Sequence, residues 1–435
     1  MFVSSPLCCP SRSSIFTCKY VHNHHAINNS VSGGCSSHSW QTEQETNTFP
    51  VYLQKHGYKT FFAGKYLNQY GFPKTGGPEH VPPGWDWWNG LVGNSRYYGY
   101  SESVNGTKVK HGNDYHTDYY TDVIHRRGVE FLSQQNSDNG PFFMMLSTPA
   151  CHAPFTPAPQ YSGNFSNRSA PRDPIYNTRG KNKHWLVRNA LYPMPNDTVV
   201  RVDEEFRNRW RTLLSVDDMV EDIITLLKNK NLYHQTYLIF SSDNGYHLGQ
   251  FSMPEDKRQL YEFDIRVPLM ISGPGIKPGQ TRDDMVMNID IGQTILDLAG
   301  AGTMSQADGI TLVPLFPTDH KHLNRTEILI EHSGESQENI KGCPQLAGQR
   351  MANCDNHCVC EDSWNNTFNC LRLMTTSKNY KYCQIYETKT FIEVYELNSD
   401  IWEENNIKDD IEPSLLKYFN TRLQKLIKCL GNTCY

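Results

Sequence analysis

No stretch of this chain is long and apolar enough to cross a bilayer. Its longest apolar runs, such as Phe142 to Leu146, fall far short of the roughly 20 residues a spanning helix needs. Positive charge is not in excess either. Lysine and arginine number 41 against 46 acidic residues, and a net charge of −5 offers no basic field to nucleic acid or to an anionic membrane, which removes both as partners. An anionic ligand would have to be gripped by a few local cations. No internal repeat and no low-complexity tract interrupts the chain. The opening residues, Met1-Phe2-Val3-Ser4-Ser5-Pro6, contain neither a basic n-region nor an apolar h-region, so they are not a signal peptide. A mean hydropathy of −0.60 describes a soluble globular protein, and 435 residues suggest one large domain with a smaller one.

Cysteine, in contrast, is plentiful. Thirteen cysteines point to an oxidising compartment. Cys343, Cys354, Cys358, Cys360, Cys370 and Cys383 crowd the last quarter, followed by Cys429 and Cys434. Spacings such as Cys354-x3-Cys358-x-Cys360 admit a zinc site, but disulfides are the stronger reading, because sequons for N-glycosylation accompany them. These begin at Asn28, Asn105, Asn164, Asn167, Asn196, Asn324 and Asn365. Without Cys8, twelve cysteines remain, a number compatible with full pairing.

The coarse pattern is α/β. Phe142-Phe143-Met144-Met145-Leu146 and Tyr237-Leu238-Ile239-Phe240 read as buried strands. Between them Leu213, Val216, Met219, Val220, Ile223, Ile224 and Leu227 recur at helical spacing. Strand, helix, strand in this order predicts a parallel sheet flanked by helices, with sites just past the strand C-terminal ends, where His152, Asp243 and Asn244 lie. Residues from about 153 to 208, rich in Pro, Asn and Arg, read as a long surface excursion. Asp290 to Leu298 reads as a helix. Beyond Pro317 the texture becomes cysteine-rich, which places a boundary near residue 320: a domain over 1–320 and a subdomain over 321–435.

Four motifs carry the chemistry. Cys8-Cys9-Pro10-Ser11-Arg12 has the spacing Cys-x-Pro-Ser-Arg. Gly57-Tyr58-Lys59-Thr60-Phe61-Phe62-Ala63-Gly64-Lys65-Tyr66-Leu67 follows, then Asp243-Asn244-Gly245-Tyr246-His247, then Lys257-Arg258-Gln259-Leu260-Tyr261-Glu262 ahead of Val267-Pro268-Leu269. In this order, and over nearly the whole chain, they resemble the sulfatase family.

The resemblance implies the alkaline-phosphatase-like sulfatase fold, mainly a parallel sheet flanked by helices, with a smaller C-terminal α+β subdomain. It implies that Cys8 is converted to formylglycine (3-oxoalanine) by the formylglycine-generating enzyme. One hydroxyl of the hydrated aldehyde would attack sulfur, and the second would then collapse to expel sulfate. Only Cys8, not Cys9, stands two residues before Pro10 and four before Arg12. Arg12 would supply a planar cation beside the developing charge. Lys65 and Lys257 match the sulfate-clamping lysines, and His152 matches a histidine giving general acid help to the leaving sugar oxygen. His247 matches a family position that either touches sulfate or positions Asp243. Asp243 and Asn244 would be calcium ligands, oxygen donors suited to a hard cation. The implied substrate is the 6-O-sulfate of terminal N-acetylglucosamine 6-sulfate on heparan sulfate and keratan sulfate, in the lysosome.

Several features stay open. His22-Asn23-His24-His25 reads equally as pocket rim or as structure. Lys181-Asn182-Lys183-His184-Trp185 suits a grip on a sulfated sugar or an exposed charged loop. Competing functions are a heparan sulfate endosulfatase, although the long basic insertion of those proteins is absent, a phosphatase on the same superfold, and a catalytically dead glycan-binding protein. The family's first strand ends in an aspartate pair that ligates calcium upstream of the modified cysteine. Here seven residues precede Cys8 and none is acidic, and neither Asp217-Asp218 nor Asp283-Asp284 can substitute. The expectation is therefore a chain missing that strand and its signal peptide, with a gap in the sheet and impaired calcium binding and turnover.

Overall fold

A computed structural model describes residues 1–317, 321–335, 359–387 and 389–435. Its larger sheet has the order β4-β3-β2-β1-β5, built from β1 (Lys59–Gly64), β2 (Trp87–Leu91), β3 (Ser101–Val104), β4 (Thr107–Lys110) and β5 (Phe142–Ser147). β1 is central and pairs parallel with both β2 and β5, while β3 and β4 add an antiparallel hairpin. At the C-terminal end of β1, Gly64 has φ of +119°, and a Cβ there would stand 1.9 Å from the carbonyl oxygen of Ser147, so only glycine lets β1 and β5 close together.

Helix α1 (Cys8–Thr17) starts after Leu7 in an extended conformation and ends where Cys18 turns left-handed and caps Ser14. Pro10 lies in its first turn, where a missing N–H costs nothing. Helix α2 (Phe49–Lys55) packs on β1, as does α3 (Tyr120–Ser133). The predicted amphipathic helix is present as α4, but it runs from Asn196 to Asn229, starting well inside the segment expected to be a surface excursion. Val216, Met219, Ile223 and Leu227 form its buried stripe, whereas Leu213 and Val220 lie at the exposed edge.

The larger sheet is parallel around β1, but the run Tyr237 to Phe240 does not join β5 in it as the strand, helix, strand order predicts. β6 (Leu238–Ser241) pairs antiparallel with β7 (Leu269–Ser272) as a separate two-stranded sheet. β5 and β6 share the α4 layer, through Ile223 and Leu227, without a ladder between them. Their apolar runs are consequently half-buried, with Phe240 and Met270 exposed, instead of enclosed on both faces. Residues Met1 to Ser4 run extended alongside 265–267 and 286–288, and Glu331 N–H donates to the Ser4 carbonyl.

Helix α5 (Asp290–Leu298) matches expectation. The C-terminal sheet is antiparallel, in the order β11-β10-β9-β8, from β8 (Glu327–His332), β9 (Phe368–Met374), β10 (Asn379–Tyr386) and β11 (Thr390–Glu396), covered by α6 (Pro413–Leu426). Its core is not separate: Ile330, Leu371 and Tyr382 belong to one cluster with Phe2, Tyr20, Trp185 and Met287.

Lys181 to Trp185 turns out to be part of that junction. Lys183 is fully buried, its Nζ donating to the Tyr395 hydroxyl at 2.8 Å and to the Glu403 carbonyl, over the rings of Phe251, Tyr261 and Tyr395. A sugar cannot reach it. The histidine run is structural too: His22 bonds Glu331 and the Cys429 carbonyl, and His24 bonds Ser14.

Disulfides join Cys9 to Cys35, Cys370 to Cys383 and Cys429 to Cys434, and Cys360 is also disulfide-bonded. Full pairing of the remaining twelve does not hold, because Cys18 and Cys151 are free thiols. Cys343, Cys354 and Cys358 lie outside the described residues. Of the sequons, Asn105, Asn164, Asn167, Asn196 and Asn324 are exposed, and Asn365 is half-buried. Asn28 is buried, its side chain turned inward to accept from Ser30, so the folded chain does not offer it for glycosylation.

Candidate active site

The site forms where β1, β5 and β6 end against the start of α1, and Arg12 ties all three together. Its Nε donates to Asp243 Oδ2 at 2.7 Å, past the end of β6. Its Nη1 donates to the Lys65 carbonyl and to Ser147 Oγ, both at 2.7 Å, at the ends of β1 and β5. The guanidinium fork suits this because it presents several fixed donors at once. Ser11 Oγ reinforces it by donating to the Asp243 carbonyl. Burial on its own would raise the Asp243 carboxyl, but Arg12, Lys65 and Lys257 hold it at about 2.

Cys8 is the first residue of α1, buried and unpaired, whereas Cys9 is committed to Cys35. The Cys9 N–H donates to Asn29 Oδ1, fixing the start of the helix. Lys65 and Lys257 lie within electrostatic reach of Cys8 and Asp243, and both are buried. Desolvation lowers Lys65. For Lys257, burial pulls down but Asp256, 3.3 Å away, holds the ammonium above its ordinary value. Its neighbours Asp256 and Arg258 both sit at positive φ (127° and 84°), a strained backbone of the kind that aims functional side chains.

His152 follows β5. Its Nδ1 donates to the Ala153 carbonyl at 2.8 Å, which leaves Nε2 as a lone-pair acceptor. Burial, then the charges of Lys65 and Lys257, push the imidazole well below 6.5, so the ligand-free site holds it neutral. That resting state is a proton acceptor and differs from the protonated general acid expected of it. An anion bound between the lysines would offset their field and favour protonation. The loop is pinned by the Tyr97 hydroxyl, which donates to the His152 carbonyl at 3.0 Å, and by Arg209 Nη1, which donates to the Cys151 carbonyl at 2.7 Å.

His247 does not face the site. It is fully buried, with Nδ1 3.1 Å from the Asp264 carboxylate and Nε2 2.9 Å from Glu361, so no nitrogen remains for sulfate. Burial opposes its charge, but the two acids raise it well above 6.5. Burial pushes the Glu361 carboxyl up to about 8 and raises Asp264 as well, with the charge of His247 opposing the rise in both. Gly245 makes this packing possible, since a Cβ there would lie 2.1 Å from the Phe263 carbonyl oxygen.

Asp243 and Asn244 were expected to hold calcium. Asn244 Oδ1 is buried and without a hydrogen-bond partner, which suits a cation ligand in kind. In number the set falls short. Calcium takes about six to eight oxygens, Asp243 is already paired with Arg12, and among the described residues no group of three His, Cys, Asp or Glu side chains gathers around a common point. Asp218 is bonded to Tyr161, and Asp284 to the Leu323 N–H. These residues by themselves do not fit a calcium site.

The structure thus brings together Cys8, Arg12, Lys65, His152, Asp243 and Lys257, leaves Asn244 beside Asp243 in the chain with its Oδ1 unpartnered, and excludes His247. Sequence reasoning missed Ser147, Tyr97 and Arg209. Ser147 alone had a local signal, as the first polar residue after the β5 run.

The family description "Sulfatase" matches residues 1–301. The N-acetylglucosamine-6-sulfatase of Capra hircus is 50% identical over 437 residues, covering 100% of this chain and 78% of that one. The extracellular sulfatase SULF-1 homolog of Drosophila melanogaster is 39% identical over 347 residues, covering 77% of this chain and 30% of that one. A solved structure described as a complex with its substrate D-glucosamine-2-N,6-O-disulfate superposes with a TM-score of 0.78 at 22% identity, covering 98% of this chain and 89% of that one. This chain belongs to the sulfatase family. It is a sulfatase enzyme with the alkaline-phosphatase-like sulfatase fold.

Proposed function

We propose that this sulfatase removes the 6-O-sulfate from N-acetylglucosamine 6-sulfate units of heparan sulfate and keratan sulfate, using formylglycine made from Cys8. The observation that carries the reading is the state of the cysteine pair: Cys8 is a free thiol at the head of α1, within electrostatic reach of the buried Lys65 and Lys257, and Cys9 is locked to Cys35. The specificity rests on 50% identity over the whole chain to a relative named for that activity.

A hydrated aldehyde at residue 8 supplies one hydroxyl to bond sulfur and a second whose proton loss releases sulfate. Lys65 and Lys257 take the sulfate oxygens and offset their charge, working in a water-poor pocket where each is worth more than in solvent. Arg12 acts through Asp243 and the strand ends, holding the lysines and residue 8 in register. His152 Nε2, the free acceptor of the neutral ring, takes a proton during turnover and returns it to the leaving sugar oxygen. Disulfides and exposed sequons support a route through the secretory pathway, with the formylglycine-generating enzyme as a maturation partner and the lysosome as destination. No helix among the described residues is long and apolar enough to cross a membrane. We assign the chemistry to residues 1–320 and a supporting role to 321–435.

The test is desulfation of N-acetylglucosamine 6-sulfate by the secreted chain and by Cys8→Ala, with mass spectrometry of the peptide carrying residue 8. An aldehyde at residue 8 and turnover lost in Cys8→Ala are expected. An unmodified thiol in a fully active protein would overturn the mechanism. Turnover of other sulfate esters with none of this one would overturn the specificity.

A further inference from the structure

Helix α4 carries four arginines, and one is unlike the others. Arg201 is ion-paired to Glu205 and Glu255, Arg207 to Glu204, and Arg211 to Glu204. Arg209 has no carboxylate within ion-pair distance among the described residues. Glu205, one turn earlier on the same helix, is taken by Arg201. The Arg209 guanidinium lies on the ring of Tyr246, 3.7 Å from its centroid, with Phe155 at 5.7 Å. One N–H goes to the Cys151 carbonyl at 2.7 Å, and the other donors of the fork have no partner among the described residues.

Its position matters as much as its lack of a counter-ion. The carbonyl it holds directly precedes His152, and the Tyr246 ring it lies on also faces Lys257 Nζ at 5.8 Å. Tyr246 itself is two residues from Asn244. A half-buried cation, anchored by one hydrogen bond and with its other donors unpartnered among the described residues, therefore borders the sulfate clamp. Stacking on an aromatic face leaves the edge of a guanidinium free to accept a bidentate oxyanion and shields one face from water.

We propose that Arg209 is a second anion subsite, which takes a further sulfate or carboxylate on the substrate while Lys65 and Lys257 hold the scissile sulfate. This rests on the sulfatase reading above and adds a preference to it: substrates carrying two anionic groups bind better than those carrying one. No covalent step is involved.

Three probes separate the possible anions: N-acetylglucosamine 6-sulfate with a single anion, glucosamine 2-N,6-O-disulfate with a second sulfate on the ring, and a 6-sulfated glucosamine linked to a uronate. Each is turned over by wild type, Arg209→Gln and Arg209→Lys, and its binding to the Cys8→Ala protein with and without Arg209→Gln is measured by calorimetry. One lost charged hydrogen bond predicts that Arg209→Gln lowers kcat/KM on at least one dianionic probe by roughly tenfold more than on the monoanion, mainly through KM. Arg209→Lys should keep part of the preference, since it retains the charge without the fork. The probe that loses most identifies the anion. An equal loss on all three probes, or none, would overturn the subsite and leave Arg209 as a residue that only positions the His152 loop. Because the calorimetric difference needs no turnover, an inactive wild type would sink the sulfatase reading while the subsite is still judged on binding.

Discussion

Replacing Arg12 with Gln should unfasten the site and the sheet ends together. Three interactions are lost at once, to Asp243 Oδ2, the Lys65 carbonyl and Ser147 Oγ. The Asp243 carboxyl, moved from an ordinary 3.8 to about 2, is worth roughly 2.5 kcal/mol of stability at neutral pH. Arg12 is the largest of the cations that lower it, so its removal forfeits about half of that or more. Two further charged hydrogen bonds add about 1–2 kcal/mol each. The expected loss is about 3–6 kcal/mol, at or somewhat above the roughly 3–5 kcal/mol typical of breaking a buried pair from one side. The pH dependence has a definite sign. A carboxyl depressed on folding contributes stability that is fully present above 3.8 and is lost as pH falls through about 2. The gap between wild type and Arg12→Gln should therefore be widest above about pH 4 and narrow towards pH 2. Urea unfolding followed by tryptophan fluorescence at pH 7, 4 and 2.5, disulfides intact, measures it. A gap under about 1 kcal/mol at pH 7, or one that stays constant down to pH 2.5, would refute the reasoning.

Glu361→Gln should flatten the loss of stability that wild type shows as pH rises from about 4.5 to 8, because burial raises the folded acid to about 8 and charging it costs stability in that window; unchanged slopes in chemical denaturation would contradict the buried His247 trio. Lys183→Met should cost stability by removing the cation that offsets buried Glu393 and the hydrogen bonds to the Tyr395 hydroxyl and the Glu403 carbonyl, with the loss read by thermal melting and kcat retained in the folded fraction, as a sugar-binding lysine would not permit. Thiol titration of denatured, unreduced protein should label Cys18 and Cys151 but none of Cys360, Cys370, Cys383, Cys429 and Cys434; labelling of the latter would contradict the pairing.

Much of the candidate site could be read along the chain because its motifs are written in local spacing. The placement of Cys8 relative to Pro10 and Arg12 singled it out as the candidate nucleophile, and the structure leaves that residue free while pairing its neighbour. Helical periodicity located the buried stripe of α4, and apolar runs located β5 and β6, since 3.6- and 2-residue repeats are properties of a few consecutive residues. Only the tertiary structure decided which way a polar side chain points. His247 and Lys183 look like ligands in sequence because a charge is assumed to face solvent. They are buried because partners 114 and 212 residues away, Glu361 and Tyr395, meet them across the shared core. Strand pairing was likewise undecided, since an apolar run says nothing of its neighbour, and β6 took β7 instead of β5. Arg209 had no signal at all in the chain: four arginines on one helix are alike in sequence, and only the placement of Glu204, Glu205 and Tyr246 around them leaves one without a counter-ion.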